Sequence, residues 1–137
     1  MNWTGRIDRE EGPGPWRWHE AVQPLPADGG AAAPGTALLG FACDAGVARN
    51  HGRTGAAEGP AALRGMLANL PLRRARVLYD AGDVRCDGDA LEAAQAEYAG
   101  RIATLLDAGH RPLGLGGGHE IAYGSYAGLA QHLERAA

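Results

Sequence analysis

Two kinds of segment recur along this chain: short, nearly continuous apolar runs, and longer stretches whose apolar residues keep helical spacing. Thr36 to Cys43 is the first run, and a strand with almost no polar position is what burial on both faces produces. Arg76 to Val84 is the second run and Arg111 to Leu115 the third. Helical stretches separate them. Gly59-Pro60 opens one, with proline suited to the first turn, and Ala61, Ala62, Leu63, Met66, Leu67 and Leu70 continue it to Pro71. Leu91, Ala94, Tyr98, Ile102 and Leu105 predict a long helix with one apolar stripe against the sheet. Asp87-Gly88-Asp89 offers that helix capping side chains, and Gly109 stands where a left-handed residue ends many helices. A last helix is expected over Ile121 to Leu133. Strand and helix alternating three times imply an α/β fold, a parallel sheet with right-handed crossovers.

The first 35 residues follow neither period, because prolines at 13, 15, 24, 26 and 34 interrupt any helix or strand. They read as an extended N-terminal arm, residues 1–35, whose Trp3, Trp16 and Trp18 dock on the surface of a domain spanning 36–137. A loop of about 15 residues follows the first strand, against a usual connection of about 4–6. It carries Arg49, Asn50, His51 and Arg53 among glycines, and such length favours a functional loop.

Composition narrows the classes. With 137 residues, 45% hydrophobic and 21% charged, the chain is a globular domain and not a disordered one. A net charge of -3 without a basic run gives no reason to expect a nucleic-acid partner. All 13 basic residues are arginine, which reads first as compositional bias. Cys43 and Cys86 are the only cysteines and fit neither a disulfide framework nor a zinc site. No run reaches transmembrane length and no signal-peptide core opens the chain, so the expectation is no membrane and a reduced, cytoplasmic setting.

The chemistry concentrates in Pro112-Leu113-Gly114-Leu115-Gly116-Gly117-Gly118-His119-Glu120-Ile121. A strand ending in glycines lets the backbone turn sharply, and ligands of open parallel sheets sit beyond the carboxyl ends of strands. His119 is the side chain so placed, and a neutral imidazole is a natural metal ligand. The stretch resembles the first metal-ligand motif of the ureohydrolase family, which contains arginases, agmatinases and formimidoylglutamases. Its Gly-Gly-Gly-His-Glu form looks most like the formimidoylglutamase branch. Gly46-Val47-Ala48-Arg49-Asn50-His51-Gly52-Arg53-Thr54-Gly55-Ala56 is similar to that branch's Gly-Val-Xaa-Arg-Asn-Xaa-Gly-Arg-Xaa-Gly-Ala loop, and Trp3-Thr4-Gly5-Arg6-Ile7-Asp8 to its N-terminal Trp-Xaa-Gly-Arg-Xaa-Asp.

The resemblance implies an arginase-like three-layer fold with helices on both faces of the sheet. It also implies two Mn(2+) ions in the complete enzyme, with His119 holding one, and N-formimidoyl-L-glutamate as the small-molecule substrate of a step in histidine degradation. Guanidinium forks bind carboxylates bidentately, so Arg49 and Arg53 are expected near the substrate's two carboxylates with Asn50 as an amide partner. The alternative is that these arginines pair with acids and hold the loop shut. Glu120 either hydrogen-bonds a neighbouring ligand or favours the positive start of the next helix. Asp83, in an Asp-Xaa-Gly-Asp strand end similar to the family's, is expected to support the rim by hydrogen bonding. His110, about 20 Å of strand away at about 3.3 Å per residue, is excluded from the site.

The family's Asp-Xaa-His-Xaa-Asp and Asp-Xaa-Asp ligand motifs do not follow His119 here. The chain therefore reads as the first half of such an enzyme, catalytically incompetent alone and able to associate as a homo-oligomer. Another ureohydrolase, or a non-catalytic α/β module that binds through its sheet edge, are the other readings. A nucleotide-binding α/β domain is a further reading, against which stands that the sixth position from Gly114 is His119 and not the glycine of a dinucleotide fingerprint. Cys43 has no His and acid at catalytic spacing.

Overall fold

Four parallel strands form one sheet in the computed structural model, which describes residues 3–8, 10, 12–26, 28–30, 32–74 and 76–137. They are β1 (Val22–Pro24), β2 (Thr36–Ala42), β3 (Leu78–Arg85) and β4 (Arg111–Gly116), in the order β1-β3-β2-β4. The helices are α1 (Trp18–Ala21), α2 (Ala45–Arg49), α3 (Gly59–Ala68), α4 (Leu91–Asp107) and α5 (Ile121–Ala136). The expected three-layer α/β arrangement is the observed one. From β2 the chain crosses through α3 to β3 on one side, then through α4 to β4 on the other side of β2. Reversing direction while keeping one handedness sends the two helices to opposite faces.

Residue parity along β2 confirms the layers. Ala37, Leu39, Phe41 and Cys43 join Leu91, Ala94, Tyr98, Ile102 and Leu105 of α4 in one buried cluster, so the helical stripe packs as its spacing predicts. Phe41 and Tyr98 meet edge to face, with ring centroids 5.3 Å apart, a geometry aromatic quadrupoles favour. α5 lies against α4 at close range: a methyl on Gly124 would meet Tyr98, and one on Gly128 would meet Ile102 and the Ala99 carbonyl. α4 ends as Gly109 suggests. His110 N–H donates to Leu105 O and Gly109 N–H to Leu106 O, with Gly109 at φ 84°, the paired bonds of a Schellman ending.

Two local expectations need correction, and α3 buries a face that its apolar residues do not announce. The apolar residues of α3 do not mark its buried face: Met66 is 76% exposed and Leu63 40%, while Pro60, Arg64 and Ala68 point inward. The reason is charge pairing. Arg64 donates to both oxygens of Asp80, at 2.8 and 3.0 Å, and to Asp83 at 2.7 Å. Burial works against the Arg64 charge, and its two carboxylate partners more than offset that, leaving its pKa raised. Asp87-Gly88-Asp89 does not cap α4 through a side chain; Ala90 holds that position, because the Asp89 carboxylate is taken by Arg49. Finally, the first 35 residues are not wholly extended, since α1 and the edge strand β1 lie within them. Trp3 Nε1 donates to Asp80 at 2.7 Å, and Arg17 pairs with Pro71 in an isolated bridge.

A bulge interrupts β3. Leu38 pairs with Asp80 but Gly40 pairs with Asp83, so β3 carries one residue more than β2 between these pairs, with Gly82 at φ 85°. The carbonyls freed there are taken by Arg101 at Ala81 and by Arg64 at Gly82, 3.1 Å away.

Candidate metal and substrate site

The connection after β2 runs to α3 on one face, and that after β4 runs to α5 on the other. A crevice therefore opens between the carboxyl ends of these neighbouring strands, the switch point where open α/β sheets bind ligands. Gly46, Arg49, Asn50, Leu91, His119, Glu120, Ala122 and Tyr123 line it, enclosing about 490 Å³, room for a small metabolite. A hollow of about 530 Å³ at the opposite, amino end is lined by His110, Arg76 and Arg111. His110 is buried there, its ring between Gly35 N, whose N–H it accepts, and Gly29 O, each at 3.2 Å, far from His119 as expected.

The glycine turn hangs from the end of β2. Gly117 N–H donates to Phe41 O at 3.1 Å and Gly118 N–H to Cys43 O at 2.9 Å. A methyl on Gly117 would meet the Phe41 and Cys43 carbonyl oxygens, so close backbone approach explains that glycine. His119 leaves the turn exposed at the crevice mouth. The Glu120 carboxylate folds back to accept from Gly46 N at 3.2 Å, in the first turn of α2. Glu120 stands at the N-terminal cap position of α5, and its carboxylate ties the His119 turn to the loop that follows β2.

That loop is built more firmly than its length suggests. α2 forms its first limb, a 3₁₀ turn over Ala56–Glu58 its last, and Asp44 closes its base by accepting from Gly55 N at 2.7 Å. Arg49 reaches across to α4, donating Nε to Asp89 at 2.8 Å, Nη1 to Glu92 at 2.6 Å, and Nη2 to Glu92 and the Asp89 carbonyl. Four of its five N–H groups are thereby used. Asn50 lines the crevice beside it. Arg53 is exposed beyond His51, which adopts φ 55°, and is not among the lining residues. Asp83 lies apart too, held by Arg64 at 2.7 Å and by Arg85 at 3.6 Å. The structure thus gathers His119, Glu120, Arg49 and Asn50, and leaves out Arg53 and Asp83.

Asp44, Asp89, Glu92 and Tyr123 belong to this neighbourhood, and none was singled out for it from sequence, where Asp89 was read only as a cap for α4. Glu92 and Asp89 could not be, because their role depends on a partner 40 or more positions away. The Arg49 guanidinium, with help from the residue's own backbone amide, holds the Glu92 carboxyl down to about 2. A carboxylate lowered on folding contributes stability above its ordinary pKa and loses it as pH falls toward the folded value. The clasp is therefore intact at neutral pH and opens between about pH 4.5 and 2. A carbon-13 titration of the Glu92 side chain should show its midpoint near 2, rising to the ordinary carboxylate range in Arg49→Ala; an unchanged midpoint in the variant would remove Arg49 as the cause.

Among the described residues, no three His, Cys, Asp or Glu side chains group to hold a metal ion, and no helix is long and apolar enough to cross a membrane. Residues 34–137 match the model of the arginase family. The chain belongs to the arginase family. It is 58% identical over 132 residues to a formimidoylglutamase of Ralstonia nicotianae, the match covering 96% of this chain and 40% of that protein. To a formimidoylglutamase of Aeromonas hydrophila it is 56% identical, over 96% and 41%. A variant of Trypanosoma cruzi formiminoglutamase carrying an asparagine-to-histidine substitution, with two Mn(2+) ions, superposes with a TM-score of 0.66 at 29% identity, over 77% of this chain and 39% of that one. The unsubstituted T. cruzi enzyme with two Mn(2+) ions gives 0.61 at 32% identity, over 75% and 36%. The arginase-family chain described here spans about 40% of the length of the curated relatives it matches.

Proposed function

We infer that this chain forms the part of a manganese-dependent formimidoylglutamase that carries the first metal ligand and the substrate loop. The reaction converts N-formimidoyl-L-glutamate and water to L-glutamate and formamide. The observation that carries this reading is the switch-point crevice, where His119 and the Arg49-Asn50 loop face one another. His119 fits a metal by its exposure, its placement and the fixed turn beneath it, but it is a single ligand. Two ions require carboxylates from polypeptide beyond these residues, so the isolated chain is expected to be inactive. The chemistry the ions supply when bound is activation of water for attack on the amidine carbon.

The roles divide among this chain's own residues. Arg49 positions the loop, since Asp89 and Glu92 already occupy most of its donors. Asn50 offers an amide to a substrate carboxylate inside the crevice, and Arg53 brings from the outer limb a guanidinium that has no side-chain partner among the described residues. Glu120 keeps the His119 turn and the loop in step. Asp83 supports α3 through Arg64 rather than the metal site. Two free thiols suit a cytoplasmic protein. The outer edge of β4, unpaired among the described residues, suits a partner, either a second copy or the polypeptide that completes the site.

The deciding experiment measures manganese-dependent release of glutamate and formamide. The 137-residue chain alone should give none. Fused to the unmatched remainder of the R. nicotianae relative it should turn over, and His119→Ala should abolish that turnover together with tight binding of one manganese. Turnover by the chain alone, or full activity of the fused His119→Ala protein, would overturn the assignment.

A further inference from the structure

Cys43 and Cys86 stand directly after β2 and β3, one step beyond the last paired residues, Ala42 and Arg85. That last pair lies at the usual strand spacing of about 4.8 Å, within the Cα separation of about 4.4–6.8 Å that a disulfide needs, and the next residues stay close enough for the Cys86 thiol to act on that of Cys43. The two side chains share a face. Phe41 and Val84, two residues earlier on each strand, are both fully buried under α4; Cys43 belongs to the same cluster and Cys86 packs against it. Both thiols are free. Access differs between them: Cys43 is 1% exposed, whereas Cys86 is half-buried with its Sγ 3.6 Å from Gly88 O.

We propose that Cys43 and Cys86 form a redox modification site, closing to an intramolecular disulfide on reaction with a small-molecule disulfide of the glutathione type. This goes beyond the metal chemistry and does not depend on it. The Cys86 thiolate attacks one sulfur of the reagent, forming a mixed disulfide and expelling one thiolate. The Cys43 thiolate then attacks Sγ of Cys86 and expels the second. Two protein thiols and one reagent disulfide become one protein disulfide and two reagent thiols, which take up the two protons. The bond would join β3 to the residue whose carbonyl holds Gly118, next to His119. Oxidation is thus read out at the turn that presents the metal ligand.

Burial, reinforced by the neighbouring Cys86, pushes the Cys43 thiol up to about 12. Closure is therefore the slow step, and its rate should rise about tenfold per pH unit through the neutral range. The test treats the native full chain with oxidised glutathione near pH 7 and near pH 9, blocks remaining thiols, and maps tryptic peptides without reductant. The expected product is the peptide 18–49 joined to 86–101, about 2 Da lighter than the sum of the thiol forms, appearing about 100-fold faster at the higher pH. Cys43→Ser should stop at a glutathione adduct on Cys86, and Cys86→Ser should leave Cys43 unreacted. Wild-type protein that stops at the Cys86 adduct at both pH values, or that forms only covalent dimers, would overturn the proposal.

Discussion

Replacing Arg64 with methionine should remove about 3–5 kcal/mol of stability, the usual consequence of leaving buried charges without their partner. Arg64, Asp80 and Asp83 have side chains 6%, 4% and 10% exposed, so water cannot take over when the guanidinium is gone. Three of its nitrogens serve two carboxylates, and Nη2 also reaches Gly82 O. Lysine keeps the charge but lacks the fork, and Arg64→Lys should fall between wild type and methionine. A domain of this size holds about 5–15 kcal/mol in all, and the methionine variant should melt roughly 10–20 °C lower. Thermal unfolding and urea denaturation both read this. A loss below about 1 kcal/mol would mean that the network is solvated and contributes no more than an exposed pair.

Gly117→Ala should cost about 2–4 kcal/mol, combining overpacking with two lost backbone hydrogen bonds. The added methyl meets the Phe41 and Cys43 carbonyl oxygens, the latter at 2.7 Å, and neither backbone atom can swing aside. Gly118→Ala is the informative contrast. The atoms nearest its methyl are the end of the Glu120 side chain, which can rotate away at the expense of its bond to Gly46. The second variant should stay near wild type in stability yet free the loop from the His119 turn. Calorimetry distinguishes the two, and amide exchange at Gly118 should accelerate strongly only in Gly117→Ala. Equal destabilisation by both would show that crowding by Glu120 and crowding by backbone are not different in kind.

Much of this architecture was legible in the chain. Near-continuous apolar runs, one clean helical stripe and well-placed glycines fixed three strands and the α4 face, because each signal depends on neighbours within a few residues. The lining of the candidate crevice was legible where a motif is contiguous: His119 and Glu120 sit on one turn, and Arg49 and Asn50 on one loop. Legibility failed wherever the partner is distant. Nothing in the spacing of α3 announces that Arg64 faces inward, since the two carboxylates that draw it there belong to the next strand. Arg49 has the same explanation, because its clasp lies on α4. The short strand β1 was hidden by its prolines; it survives at the sheet edge, where a missing N–H is tolerated.

The bulge in β3 keeps the strand in frame. Side chains in a regular strand change faces at every residue, so Asp83, an odd number of residues after Asp80, would otherwise emerge among the apolar residues beneath α4. Val84 and Cys86 would be turned toward α3. One left-handed glycine absorbs the surplus residue and restores the phase. Everything downstream then points as β2 requires: two carboxylates share a single guanidinium, and two sulfurs share one side of the sheet. A one-residue change in length at Gly82 is therefore a change of phase, and it has consequences as far as the carboxyl end of the strand rather than only where it occurs.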